Sequence, residues 1–299
     1  MVAVTRIGFV GAGVMGHGMA ARLLRAGYPV TVIAHRNRTP IDDLVAKGAE
    51  EARDYPALAA RSDIIILCVS SSNVVETVIE ALRPDLRAGM TVLDMGTSSP
   101  DSSRRLAAAL EALEVAFVEA PVTGGIKQAA AGELGALVGA DEDSFEAVRP
   151  LLACMCRTVH HFGPPGAGNT AKLLNNFMVF GIAALVTEAF DTARDAGIDW
   201  QKLYDVVVCG SADSGVLRRI IGSAVQGDYR GYVFSVEGSL KDMKYFGELS
   251  ESMGGLSELG RAVTHVYERA AAEGRGGLLL SELLAPEAGR ENERQLDEV

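Results

Sequence analysis

The chain is 299 residues long, with a formal net charge of −11 and 48% hydrophobic residues, material enough for the buried cores of about two domains. Its acidic balance excludes a general nucleic-acid surface, which needs a basic patch to neutralise phosphates. An anionic ligand must instead be held by backbone amides and a few local cations, which the sequence offers at Arg36 and Arg38 and at Lys172 and Lys241.

Residues 4–10 (VTRIGFV) read as a short buried strand that runs directly into GAGVMG, where Gly11, Gly13 and Gly16 have GxGxxG spacing. The next segment, HGMAARLLRAG, carries apolar residues at helical spacing and stops at Gly27. Strand, glycine turn and helix in this order point to a dinucleotide site. The glycines allow a tight turn, close approach of a pyrophosphate and close helix packing, and the helix N-terminus holds the phosphates. The following strand, residues 29–34 (PVTVIA), leads into His35, Arg36, Asn37, Arg38 and Thr39. An NAD-specific enzyme usually carries an acid at this point, to bind the ribose hydroxyls. Here no acid repels a 2′-phosphate and two guanidinium groups can grip one, so NADP(H) is favoured, with NAD(H) as the alternative.

Further strands are predicted at residues 63–69 (DIIILCV), 90–95 (MTVLDM), 115–119 (VAFVE), 135–138 (GALV) and 158–162 (TVHHF), separated by Ala-rich helices. Residues 1–163 therefore read as an α/β Rossmann domain with a doubly wound sheet and ligand loops at the carboxyl ends of its strands. After residue 163 the strand pattern stops. Residues 170–196 are apolar almost all round, which predicts a buried helix of about 27 residues, or roughly 40 Å. Segments 200–208, 216–226, 235–251, 257–272 and 278–284 also read helical, giving an all-α domain over 164–299 built on that long interdomain helix. Such a helix needs covering on several sides, which predicts a homodimer or larger homo-oligomer. The final GRENERQLDEV is strongly charged and reads as a solvated tail.

Cys68, Cys154, Cys156 and Cys209 lie in or beside apolar runs, with spacing that fits neither a zinc site nor a disulfide framework. No metal is expected, His160 and His161 included. No uninterrupted apolar run is long enough to span a bilayer, and the expected location is the cytoplasm.

The segment Gly166–Asn176 (GAGNTAKLLNN) sets Lys172 and Asn176 four residues apart. On a helix they share one face about a turn apart, so a proton donor and a hydrogen-bonding amide can converge on one small molecule.

With these segments in order, the chain resembles the β-hydroxyacid dehydrogenase family, which includes 3-hydroxyisobutyrate, tartronate semialdehyde and related reductases. The resemblance covers nearly the whole length and rests on four motifs. The family's GxGxMG is matched by Gly11 to Gly16, with Val14 and Met15 inside it; its DAPVSGG by Glu119 to Gly125 (EAPVTGG); its GxGxxxKxxNN by Gly166 to Asn176; and its late Lys-Asp pair by Lys241 and Asp242. The resemblance implies an NAD(P)-dependent oxidoreductase acting on a small carboxylate substrate, with a C-terminal domain like that of 6-phosphogluconate dehydrogenase.

It also implies that Lys172 is the general acid/base and that Asn176 hydrogen-bonds the substrate. Thr123 with the amides of Gly124 and Gly125 would bind a carboxylate. Lys241 would stand near the nicotinamide, and Cys68, Val69, Asn73 and Thr97 would contact the cofactor. Three departures from the family pattern stand out. Glu119 and Thr123 replace Asp and Ser. Gly96 stands where the family's D-x-S-T has Ser, a loss for which Ser98 or Ser99 is expected to compensate. The HRNRTP turn is longer by about one residue, which leaves open whether Arg36 or Arg38 is the phosphate ligand. Two other readings stand beside this one. An imine reductase would share the architecture but commonly replaces the lysine, and a non-catalytic NADP(H)-binding protein would usually lose it.

Overall fold

The structure is a computed structural model and describes residues 5–286; the charged tail at 289–299 lies outside the described residues. The chain separates into two compact units, Met1–Leu173 and Leu174–Val299.

The first unit alternates strand and helix. Its strands β1 (Ile7–Val10), β2 (Val30–Ile33), β3 (Glu50–Ala52), β4 (Ile64–Leu67), β5 (Thr91–Asp94) and β6 (Ala116–Glu119) pair in parallel in the order β3-β2-β1-β4-β5-β6. That is the dinucleotide-binding order, with the ligand crevice outside the carboxyl ends of the strands on either side of β1. β4 shows why its sequence is a continuous apolar run. Ile64 and Ile66 join the core on one face with Phe9 and Leu93, while Ile65 and Leu67 join the core on the other with Val10 and Val92. A strand covered on both faces has no position for a polar residue.

Beyond β6 the sheet is no longer parallel. β8 (Leu134–Gly139) runs antiparallel to β6 at Glu119 and to the two-residue β7 (Val122–Thr123), and β9 (Cys156–Gly163) pairs with β8 in parallel. Neither β3 nor β7 was foreseen, because both are too short to show an alternation of apolar and polar residues. His161 of β9 stacks on Phe145 with ring centroids 4.5 Å apart, and its Nε2 lies 2.8 Å from the Ala140 carbonyl.

The long helix α8 (Ala167–Asp195) runs from the first unit into the second. The units divide ten residues later than the change in sequence pattern because the first turn of α8 packs on β8. A Cβ added at Gly168 would lie 2.4 Å from the Leu137 carbonyl oxygen and 2.7 Å from the Gly139 nitrogen. By length and composition alone α8 could cross a membrane. The Asn and Thr residues scattered along α8 leave no uninterrupted apolar run of spanning length. In the second unit α8 contributes the buried Phe180, Val186 and Phe190. Tyr267 stands edge-on to Phe180, and its hydroxyl donates to the Phe180 carbonyl at 2.7 Å.

The remaining helices are α9 (Trp200–Val207), α10 (Gly215–Ala224), α11 (Val236–Ser252) and α12 (Glu258–Ala270). Asp199, Ser214, Ser235 and Ser257 each accept a backbone amide at the start of one of them, the usual satisfaction of an orphan helix donor. The expected last helix is a five-residue 3-10 turn, Leu280–Leu284.

Candidate active site

The glycine loop after β1 shows why each glycine is needed. Gly11 has φ +91°, and a Cβ there would meet the Cys68 carbonyl oxygen at 2.2 Å. A Cβ on Gly16, which opens α1 (Gly16–Arg25), would strike the Gly11 oxygen at 2.1 Å. Gly13 differs, because a Cβ there would meet nothing within 4 Å. Its freedom is therefore not required by the protein's own packing but matches a ligand backbone laid over the loop. The open surface continues past Val14, 70% exposed, and beside Met15.

Gly11, Ala12 and Gly13 line a cleft of about 280 Å³ together with Ile33, His35, Arg36 and Asn37. The loop and the residues after β2 thus share one concavity. Arg38 is turned elsewhere. Its guanidinium donates to Glu51 and to Asp42, at 3.0 Å in each case, and Glu51 first and then Asp42 hold its pKa well above the ordinary arginine range. Asn37 is spent locally, its Oδ1 accepting the Thr39 amide.

The loops after β4 and β5 adjoin this cleft's floor. Cys68 donates its amide to the Val10 carbonyl, and burial, assisted by nearby Asp94, pushes its thiol up to about 12. Val69 approaches Gly96 so closely that a Cβ there would sit 2.9 Å from the Val69 oxygen, so Gly96 is a packing requirement as well as a missing hydroxyl. Asn73, on the first turn of α4 (Ser72–Leu82), is exposed, and Thr97 is half-buried.

The structure buries Ser98 in the loop after β5. Its residue is 1% exposed, its hydroxyl donates to Asp94 Oδ2 at 2.8 Å, and its amide donates to Asn169 Oδ1 at 2.9 Å. These bonds tie the loop after β5 to the end of that strand and to the start of α8. In the EAPVTGG segment, Gly124 has φ +109° and no room for a Cβ beside Leu134 and Gln128. Gly125 donates its amide to Gln128 Oε1 at 3.0 Å. Thr123, half-buried on β7, donates its hydroxyl to the Gly135 carbonyl at 3.4 Å.

Sequence reasoning missed a buried polar network. Glu119, with no exposed surface, accepts the Gly166 and Asn169 amides on Oε1 and the Asn169 side-chain amide on Oε2. Burial pushes its pKa up, against the opposing effect of these hydrogen bonds. The available signal was the two acids, Asp94 and Glu119, that end otherwise apolar strands.

Lys172 and Asn176 lie one turn apart on α8, 8% and 4% exposed. In the second unit Asn176 donates to Asp242 Oδ2 at 2.6 Å. Lys241 Nζ lies 2.9 Å from Asp242 Oδ1 and over the Tyr245 ring at 5.2 Å. That approach has ion-pair distance without hydrogen-bond geometry, so Oδ1 has no hydrogen-bond partner.

Residues 6–163 match the model of the NAD-binding domain of 6-phosphogluconate dehydrogenase, and residues 166–286 match that of the NAD-binding domain of NADP-dependent 3-hydroxyisobutyrate dehydrogenase. The 2-(hydroxymethyl)glutarate dehydrogenase of Eubacterium barkeri is 30% identical over 276 residues, 91% of each chain. The chain belongs to the β-hydroxyacid dehydrogenase family. As a β-hydroxyacid dehydrogenase it is an NAD(P)-dependent oxidoreductase acting on CH–OH groups. The family's 3-hydroxyisobutyrate dehydrogenase from Mycobacterium tuberculosis, solved with L-serine, is 28% identical and covers 94% of this chain and 98% of its own, with a TM-score of 0.85. A reductive aminase from Aspergillus terreus, solved with NADPH and ethyl levulinate, is 24% identical with a TM-score of 0.63 and shares the β-hydroxyacid dehydrogenase fold.

Proposed function

We propose that this protein interconverts a short β-hydroxyacid and its semialdehyde or keto partner, with NADP(H) favoured and Lys172 as general acid/base. The observation that carries this reading is a lysine only 8% exposed, one helical turn from a buried carboxamide that Asp242 orients. Bound nicotinamide supplies the hydride. In the reducing direction the carbonyl carbon gains that hydride and its oxygen takes the proton released by Lys172 Nζ; oxidation reverses both transfers. The ammonium neutralises the alkoxide charge as it develops. Asn176 donates a hydrogen bond to the substrate, and Thr123 with the Gly124 amide receives its carboxylate. Lys241 adds a cation on the nicotinamide side.

Arg36 is the proposed 2′-phosphate ligand, because it lines the glycine-loop cleft while Arg38 is held by Glu51 and Asp42. Ser98 is assigned to loop shape. The proposed assembly is a cytoplasmic homodimer. Leu174, Met178 and Leu185 on α8 are 48%, 60% and 68% exposed and form one apolar stripe at helical spacing, which a second copy would cover. A monomeric mass by light scattering at micromolar concentration would remove that part.

The imine-reductase reading rests on fold alone, and Lys172 argues against it. The test is NADPH and NADH oxidation with glyoxylate, succinate semialdehyde, tartronate semialdehyde, methylmalonate semialdehyde and a cyclic imine, with Lys172→Ala alongside. Turnover of an aldehyde acid that drops by roughly 10² to 10⁴ in the variant, with cofactor affinity unchanged, supports the proposal. Near-normal turnover without Lys172, or turnover of the imine alone, defeats it.

A further inference from the structure

One densely bonded buried side chain of the first unit is not among the residues assigned to substrate or cofactor. Asn169 has no exposed surface and makes three side-chain hydrogen bonds. Its Oδ1 accepts the Ser98 amide at 2.9 Å, and its Nδ2 donates to Glu119 Oε2 at 2.7 Å and to Ser103 Oγ at 3.0 Å. The orientation is self-consistent, because a flipped amide would set oxygen against the Glu119 carboxylate and nitrogen against the Ser98 amide.

Three substructures meet at this one carboxamide. Ser98 belongs to the loop after β5, and its hydroxyl continues the chain of bonds to Asp94. Glu119 heads the EAPVTGG segment. Asn169 itself lies in the first turn of α8, three residues before Lys172, so the two side chains share a helix face. Glu119 Oε1 also takes the Gly166 and Asn169 amides, at 2.8 and 3.1 Å. These are donors that a helix start otherwise leaves orphaned. A carboxylate on β6 therefore caps α8 from outside the helix.

We infer that Asn169, held by Glu119 and Ser98, is a positioning residue that fixes the rotation of α8 and hence the place of the Lys172 ammonium relative to the loops after β5 and β6. The inference rests on the acid/base reading of Lys172. Its leverage is geometric. Rotating a helix by about 20° carries the end of an extended lysine, some 8 Å from the axis, through about 3 Å. A misplacement of about 1 Å is enough to cost on the order of 10²-fold in rate. Glycine packing at Gly139 and Gly168 limits the height of the first turn against β8, whereas the carboxamide limits its rotation.

The test is a kinetic cycle on the full chain, with NADPH and whichever aldehyde acid of the panel is turned over. Asn169→Ala should lower kcat by roughly 30- to 100-fold while NADPH affinity stays within about threefold. Introduced into Lys172→Ala it should cost less than about threefold, because a residue acting through Lys172 has nothing further to remove. An equal loss in both backgrounds would mean a general structural role and overturns the inference.

A second arm guards against misfolding. Glu119→Gln alone sets two amide nitrogens together, and Asn169→Asp alone sets two carboxylates together. The double variant Glu119→Gln/Asn169→Asp restores one donor facing one acceptor and keeps an oxygen at position 119 for the two backbone amides. It should return kcat to within about fivefold of the parent. A double variant that melts like the parent yet stays as slow as either single change overturns the inference. Slow Lys172→Ala with fast Asn169→Ala defeats this inference alone. Fast Lys172→Ala, or a parent silent on every aldehyde acid, defeats the reading on which it rests.

Discussion

Asn176 donates its side-chain amide to Asp242 at 2.6 Å, and the same carboxylate lies 2.9 Å from Lys241 Nζ. One buried acid thus orients the carboxamide a turn beyond Lys172 and accompanies the lysine proposed for the nicotinamide side. Asp242→Ala removes one partner of a buried hydrogen bond, a loss of about 1–3 kcal/mol. The expected result is a fall in kcat/KM of roughly 10- to 100-fold, with Asp242→Asn recovering part of it. Steady-state kinetics on folded protein checks this, and unchanged kcat/KM in the alanine variant would show that Asn176 needs no such anchor.

The two arginines after β2 should separate in a binding experiment. Arg36→Ala is expected to weaken NADPH by roughly 10- to 100-fold, the loss of a charge-assisted phosphate contact, with little effect on NADH. Arg38→Ala should alter either affinity by less than about threefold, because its guanidinium is engaged by Glu51 and Asp42. Titration of both cofactors against both variants decides the assignment. Equal loss of NADPH and NADH in Arg36→Ala rejects it.

Thiol reactivity should follow burial. Cys209 is exposed, whereas burial pushes Cys156 up to about 12 and, with Asp94 adding to it, Cys68 to about the same value. In the native protein at mildly alkaline pH, Cys209 should be alkylated at least about 100-fold faster than either, since the thiolate is the reacting species. Mass-spectrometric mapping of a timed alkylation reads this directly; early modification of Cys68 would mean that its loop opens.

Acid stability should depend on the clasp at the start of β1. Asp63 accepts the Arg6 backbone amide at 2.9 Å and its guanidinium at 2.6 Å, and these contacts hold its pKa below the ordinary 3.8. A depressed acid contributes stability that is present above its unfolded pKa and lost as pH falls through the folded value. Urea midpoints of the parent and of Asp63→Asn should therefore differ near neutral pH and converge only as pH falls through the depressed pKa of Asp63. A difference that persists in strong acid would point to packing instead of charge.

The sequence by itself determined the features that arise from local chemistry. The apolar run of β4, the glycine turn into α1 and the change to helical periodicity after residue 163 are each written in contiguous residues. The spacing of Lys172 and Asn176 follows from helix pitch alone. Tertiary structure decided what depends on distant partners. It separated Arg36 from Arg38, because Glu51 arrives from β3. It tied Ser98 into the buried network, because Asp94 and Asn169 claim its hydroxyl and amide. It also turned β8 against β6 and brought Glu119 onto the first turn of α8. A buried carboxylate is expensive unless several donors converge on it, and no window of sequence contains those donors together.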